Sequence, residues 1–444
     1  MTAPVRSGQG QQMVRRCAGA FLAVLLAVLL SPLVGCRLAA PAAAPPPAPA
    51  ASSPWAEAPS VSTDPTFSGE RAWRIVDHLA TAIGPRPAGS AGYARAADWA
   101  ANQLRAFGYH VERQRFRFDE FRVRRVEVRV VSPQPGVLEA VAMTNSGSGE
   151  VTAPLVPAGL GREGEVPAAV AGAIALIERG QITFQEKVER AAAAGAAGVI
   201  VYNTEAGLIQ PSLSQPAPIP AVFISRDDGR RLAREAAAGP VLVALTVEAR
   251  QETIESENII ASRPGSGEGI LIIGAHLDSV EGSPGANDNA SGSAVLLELA
   301  RALAGSPTSA ELRFILFGAE ENGLIGSRAY VQQLSEPDRA RLLGMINLDM
   351  VGIDIRLSAA GAPRLSAPAR EKAAALGRSL PEVTNAGGGS DHASFARIGV
   401  PTLFLFTGID ENYHKPTDLA HFVQPATLQL VGEIALHVIK TAAN

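Results

Sequence analysis

Apolar residues recur at helical spacing between Gly69 and Gly108: Trp73, Ile75, Val76 and Leu79 in one stretch, Ala97, Trp99, Ala100 and Leu104 in another. Gly84-Pro85-Arg86-Pro87 interrupts the run, because proline breaks the helical ladder and glycine supplies turn geometry, so two helices are predicted. From Tyr109 to Val131 polar and apolar residues alternate, the period of strands leading out of this segment. The texture then changes between 138 and 248. Gly172–Gly180 reads as a buried strand ending in a glycine turn, Phe184–Ala194 as a short helix, Gly198–Asn203 as a second buried strand and Ile219–Ile224 as a third. That alternation predicts a small β-rich α/β module.

Beyond residue 258 unbroken apolar runs take over at Ile259–Ala261, Ile270–Ala275, Leu312–Phe317, Gly344–Leu348 and Thr402–Phe406. Runs without alternation suit strands buried on both faces. Helical stretches lie between them at Ala290–Ala304, Leu324–Leu334 and Arg370–Arg378. The fold class predicted is α/β, a mostly parallel mixed sheet flanked by helices, with the small α/β module inserted.

The N-terminus reads differently. Arg15 and Arg16 precede an apolar run from Ala18 to Leu30, the length of a signal-peptide core and short for a membrane span. The run ends in Leu33-Val34-Gly35-Cys36, which resembles the bacterial lipobox, where the leader is cut before a cysteine that carries lipid. An ordinary signal peptide cut in the following Ala-rich stretch is the alternative, and either Met1 or Met13 fits as the start. Residues 37–66 are an Ala/Pro/Ser-rich spacer that cannot pack a core, suited to a tether. The organisation expected is a leader over 1–36, a linker over 37–66, a first part of the main domain over 67–137, the insert over 138–248 and the remainder over 249–444. The location expected is exported, lipid-anchored through Cys36 to a bacterial membrane on its periplasmic or cell-surface side.

Composition narrows the chemistry. The chain has 444 residues, with 39 Lys+Arg against 43 Asp+Glu, so it lacks the basic footprint of a nucleic-acid binder. Hydrophobic residues make up 47%, enough for a sizeable core. The two cysteines are Cys17 and Cys36, so the exported part has no disulfide, thiol nucleophile or zinc–thiolate site. No Gly-x-Ser-x-Gly occurs, which disfavours a serine hydrolase.

In sheets of this type, ligands collect at the carboxyl ends of the strands. The strand Ile270–Ala275 runs into His276-Leu277-Asp278, and Asp288 follows in a turn that opens a helix. The strand ending at Phe317 leads to Glu320-Glu321, the one ending at Leu348 to Asp349, and the last to Tyr413-His414. Singly, each has a plain structural reading: a hydrogen-bonded histidine, a helix N-cap at Asp288, a solvated Glu pair. Their convergence is what points to a metal, since imidazole and carboxylate donors suit zinc and also accept manganese or cobalt. Lys415, Asp418 and His421, which follow His414, read as surface residues.

These residues carry a resemblance. His276-Leu277-Asp278, Asn287-Asp288-Asn289-Ala290-Ser291-Gly292, Ala319 to Ser327, Asn347-Leu348-Asp349, Ser390-Asp391-His392 and Tyr413-His414 are similar, in order, to the motifs of the M28 family of zinc-dependent aminopeptidases. Arg179-Gly180, Phe184, Lys187 and Ala194–Ile200 resemble the protease-associated (PA) domain, with Ile182 standing where many members have cysteine. The resemblance implies two zinc ions bridged by Asp288, one also held by His276 and Asp349, the other by Glu321 and His414. It implies Glu320 as general base and Asp278 as the carboxylate orienting His276. Asp391 and His392 would support the ligands or the substrate, and Tyr413 would donate to the oxyanion or simply pack. The function implied is hydrolysis of the N-terminal bond of a peptide with a free N-terminus. The alternatives are a glutaminyl-cyclase-like aminoacyl transferase on the same fold, and a non-catalytic surface protein with a structural metal.

Overall fold

The computed structural model of the chain describes residues 64–384 and 387–444. The leader ending at Cys36 and the spacer as far as residue 63 lie outside the described residues. The first helix, α1 (Gly69–Asp77), starts where the Ser68 hydroxyl accepts the Arg71 N–H, and a wider turn continues it to Ile83. After Gly84, at φ 83°, the chain turns through Pro85-Arg86-Pro87 into α2 (Ala91–Ala106), capped by Ser90. The break in helical periodicity is therefore a real turn.

The long strand β1 (His110–Ser132) then carries the chain away. The insert holds β2 (Gly136–Leu138), β3 (Ala140–Ala142), β4 (Gly149–Pro157), β5 (Ile174–Glu178), α3 (Phe184–Ala193), β6 (Gly198–Tyr202), β7 (Ala221–Ile224) and α4 (Arg226–Ala238). The chain returns along β8 (Leu242–Arg263). β1 and β8 pair antiparallel from His110↔Ser262 to Ser132↔Leu242, with an irregularity between Val123 and Arg125. The sequence pattern had marked only Ile259–Ala261 of β8. The strand extends back to Leu242 because its polar residues pair across the ribbon, as in Arg117–Glu255 at 2.8 Å and Arg113–Glu257 at 3.0 Å.

Inside the insert β4, β5, β6 and β7 are parallel, and β3 closes the edge against β7. Its sheet is buried on both faces. Ile174 and Leu176 join a cluster with Ile200, Val222 and Leu245, while Ala175 and Ile177 join another with Val188, Val199 and Phe223. This explains why the strands read as continuous apolar runs.

The main sheet continues with β9 (Ile270–His276), α5 (Gly292–Leu303), β10 (Glu311–Phe317), α6 (Ile325–Gln333), α7 (Glu336–Arg341), β11 (Leu342–Leu348), β12 (Ser358–Gly361), α8 (Pro363–Ala375), α9 (His392–Ala396), β13 (Thr402–Phe406) and α10 (Pro425–Ala442). Its strand order is β12-β13-β11-β9-β10-β8. β13, β11, β9 and β10 run parallel, whereas β12 and β8 are antiparallel edges of that set, so the sheet is mixed and mostly parallel as expected. In register, Phe317 stands opposite His276 and Asn347 opposite Gly274, which brings the carboxyl ends of three strands level. One helix was placed too late in the sequence. α8 begins at Pro363, which suits the first helical turn because it has no N–H to lose, and stops before Gly377 at φ 75°.

A buried ion pair ties the start of α1 to α5. Glu298 on α5 accepts from Ser68 N–H at 3.0 Å, Arg71 Nε at 2.9 Å and Arg301 Nε at 2.8 Å. Arg301 also donates to the carbonyls of Asp64 and Thr66. Removing one partner of a buried pair leaves the other charge uncompensated, so Glu298→Ala is expected to cost about 3–5 kcal/mol. Equilibrium denaturant unfolding checks this, and a loss below about 1 kcal/mol would mean water already compensates Arg301.

Candidate metal centre and active site

The candidate side chains sit at or beyond the ends of buried strands or in the loops that follow them. His276 is the last residue of β9. Asp288 lies in an irregular turn ahead of α5, with φ −110° and ψ 91°. Glu320 and Glu321 follow β10 after Ala319, which is at φ 56°, while Asp349 directly follows β11. His414, at φ 58°, comes from the loop after β13. The structure brings all of them together.

Asp288 is at the centre. Its Oδ1 lies 3.2 Å from His276 Nε2, and its Oδ2 lies 3.2 Å from His414 Nε2. Asp349 Oδ1 is 3.3 Å from His276 Nε2, and Glu321 Oε2 is 3.1 Å from His414 Nε2. Two three-residue sets thus share Asp288, each with one donor atom per residue within 4.8 Å of the others. Glu320 Oε2 is 4.0 Å from His276 Nε2, and the second glutamate oxygen, Glu321 Oε1, is buried without a hydrogen bond. One imidazole N–H cannot serve Asp288, Asp349 and Glu320 at once, so hydrogen bonding alone does not satisfy this set. Divalent cations would, and the donor chemistry fits zinc.

The charges respond to that crowding. Burial drives the Glu320 carboxyl far above the usual range, reinforced by Asp391, Asp349 and Asp278 and only partly opposed by His276. Burial would also raise Asp288, but hydrogen bonds from both histidines hold it below the usual carboxylate range. Hydrogen bonds to Asp288 and Glu321 push the His414 imidazole up to about 10. Burial lifts Glu321 to about 6, with His414 acting against it.

A second layer holds these groups in place. His276 Nδ1 is 3.1 Å from the Asp278 carbonyl oxygen and 3.7 Å from its carboxylate. The Asp278 carboxylate accepts the N–H groups of Glu320 and Glu321, each at 3.2 Å. It therefore bears on the glutamate loop as well as on the histidine. Asp418, expected at the surface, is 1% exposed. Its carboxylate accepts Asn287 N–H at 2.8 Å and Asp288 N–H at 3.0 Å, because those turn amides have no helical partner. Lys415 and His421 are exposed, as expected. The asparagines beside Asp288 also work: Asn289 Nδ2 donates to Leu348 O at 2.9 Å, and Asn287 Oδ1 accepts Gly352 N–H at 3.0 Å.

Asp391 is fully buried, and neither oxygen closes a standard hydrogen bond, although the nearby Ser327 hydroxyl favours its charged form. Burial raises it to about 7. His392 stacks on Phe404 with ring centres 4.5 Å apart, and its Nε2 pairs with Gly387 O at 3.1 Å. Tyr413 stacks on His414 at 3.7 Å, so it packs against that imidazole. A cavity of about 560 Å³ opens beside Glu321 and Asn322 and is walled by Arg122, Arg124 and Glu252 of the ribbon and by Glu281. Sequence reading missed Arg86, which appeared only as part of a helix break yet lies buried under the turn that carries Asp288.

Comparison with known proteins agrees with this fold. The profile of Peptidase family M28 matches residues 258–439, and that of the PA domain matches residues 151–232. Aminopeptidase YwaD of Bacillus subtilis is 35% identical over 400 residues, covering 85% of this chain and 86% of that protein. A probable lipoprotein aminopeptidase, LpqL, of Mycobacterium tuberculosis is 31% identical over 405 residues, with 79% of each chain covered. The solved structure of a zinc aminopeptidase from Bacillus subtilis superposes with a TM-score of 0.68 at 33% identity, covering 85% of this chain and 95% of that one. The chain belongs to peptidase family M28, and its insert is a PA domain.

Outer partners of metal ligands typically contribute 10–100-fold to affinity. Asp418→Asn puts an amide N–H against backbone N–H donors, so it is expected to weaken zinc binding at least about tenfold with the fold intact. Chelator competition with circular dichroism as the folding control measures this. Wild-type affinity would remove Asp418 from the support of Asp288.

Proposed function

We propose that this chain is an exported, zinc-dependent aminopeptidase that hydrolyses the first bond of peptides bearing a free N-terminus, with two zinc ions in one site. The observation that carries the two-ion reading is Asp288, whose two oxygens face two separate histidine–carboxylate sets. In this reading His276, Asp288 and Asp349 hold one ion, and Asp288, Glu321 and His414 hold the other. When bound, the pair supplies positive charge that acidifies the attacking water and polarises the scissile carbonyl.

The remaining work falls to the chain's own groups. Glu320 lies within reach of His276 and Glu321 but belongs to neither Asp288-centred set, and in this reading its carboxylate takes the proton of the attacking water and passes it to the leaving amine. Its high proton affinity in the buried pocket falls towards a working range once cationic charge is present. The Asp278 carboxylate fixes the backbone of Glu320 and Glu321, so base and ligand are presented from one rigid turn.

Export and lipid anchoring rest on the run ending at Cys36, and the likeness to the mycobacterial protein described as a lipoprotein supports them. Among the described residues no helix is long and apolar enough to cross a membrane.

The direct test is hydrolysis of leucine p-nitroanilide by the full chain, beside its N-acetylated analogue, with and without o-phenanthroline. Cleavage of the free amine alone, abolished by the chelator and restored by zinc, is expected. Cleavage of neither compound by zinc-loaded protein, across a panel of N-terminal residues, would favour the acyl-transfer or binding alternatives. Glu320→Gln is expected to keep both metals and lose about 100- to 10,000-fold in kcat. Activity within about threefold of wild type would take the base role from Glu320.

A further inference from the structure

Arg86 is among the largest fully buried side chains of the protein. Its Nε donates to Leu277 O at 3.0 Å, its Nη1 to Leu79 O and Gly84 O at 3.0 Å each and to Pro284 O at 2.6 Å, and its Nη2 to Gly285 O at 3.0 Å. Its backbone adds two more links, Arg86 N–H to Ser279 Oγ at 3.0 Å and Ser279 N–H to Arg86 O at 3.3 Å. All five side-chain acceptors are main-chain carbonyls, and among the described residues no carboxylate pairs with the guanidinium. Arginine buried for charge pairing would meet a carboxylate head-on. Here the fork is used for shape.

What it grips is specific. Leu277, Pro284 and Gly285 all lie between His276 and Asp288, the stretch linking a strand-end donor to the shared carboxylate. Gly285 is at φ 58°, and a Cβ there would stand 2.3 Å from Asp288 O and 3.2 Å from Arg86 Nη2. The guanidinium is thus packed against the inner face of the turn. Asp418 holds the N–H groups of Asn287 and Asp288. The turn is clamped between one cation that takes its carbonyls and one anion that takes its amides.

We infer that Arg86 is a positioning residue for Asp288: by fixing the carbonyls of the 277–285 loop it holds both oxygens of that carboxylate towards their two cation positions. The inference rests on the two-ion reading above. It differs from a charge role in sign. A buried cation near Asp278, Asp418, Asp288 and Glu321 repels incoming metal, so removing charge alone would tighten zinc binding. Removing position loosens it.

The experiment compares the full chain with Arg86→Lys and Arg86→Met after metal stripping, using chelator-competition titration with zinc. Lysine keeps a charge but not the planar fork, and methionine keeps neither. Both variants are expected to lose about tenfold or more in at least one of two zinc affinities, the scale of an outer support. At saturating zinc, kcat on leucine p-nitroanilide should fall while KM stays within about twofold, the signature of misplaced catalytic groups. Unchanged affinities in Arg86→Lys would overturn the inference, as would tighter binding in Arg86→Met with Arg86→Lys unaltered. If the methionine variant fails to fold, the lysine variant decides. Uptake of fewer than two ions by the wild type removes the two-ion reading and the inference with it, and that outcome is visible before any variant is made.

Discussion

Everything around the site answers one constraint, the burial of several carboxylates in one place. Asp278, Asp288, Glu320, Asp349, Asp391 and Asp418 are each at most 9% exposed. Buried charge without partners is costly, and like charges at this spacing repel. His276, His414 and Arg86 supply the facing positive charge, and backbone N–H groups from the 287–288 and 320–321 turns supply hydrogen bonds. What is left over are overlapping donor sets still short of positive charge. In the proposed reading a cation bound there would stabilise the fold, since a ligand that binds only the folded state stabilises it.

The sheet makes that concentration possible. Parallel strands in register present their carboxyl ends on one level, and the loops leaving them need travel only a few residues to converge. His276 and Asp349 come from, or directly after, β9 and β11, so their backbones are fixed by ladders on both sides. His414 arrives on a longer loop and is the more exposed histidine, with 37% of its side chain open to solvent against 1% for His276. One donor set is therefore built into the core and the other is completed at its rim.

The β1–β8 ribbon links this centre to the PA domain. Its strands continue from the main sheet into the insert, paired along their length apart from irregularities at Val123/Arg125 and Val130/Ser132, and its middle walls the cavity beside Glu321. Arg122, Arg124 and Glu252 thus share a cavity with Glu321 although they lie more than 60 residues from it in sequence. The PA domain packs two apolar cores of its own, and the cavity beside Glu321 is walled by the ribbon and not by the insert.

Much of this was legible in the residues alone. Continuous apolar runs marked the central strands because strands buried on both faces need no polar side, and the acids and histidines that follow them stood out because such residues at the end of a buried strand must find partners. The order of the motifs carried the family. The sequence did not disclose the full length of β8, because its polar residues are satisfied by cross-strand partners on β1 more than a hundred residues away in the chain. It hid Asp418 and Arg86 for the same reason. A lone acid after a histidine and an arginine inside a Gly-Pro turn have no local pattern, and their roles exist only where the fold brings the carbonyls of the 277–285 loop and the amides of 287–288 against them. Side-chain chemistry and periodicity are written along the chain. Which backbone groups of a turn lack a partner, and what fills that lack, is decided only by tertiary contact.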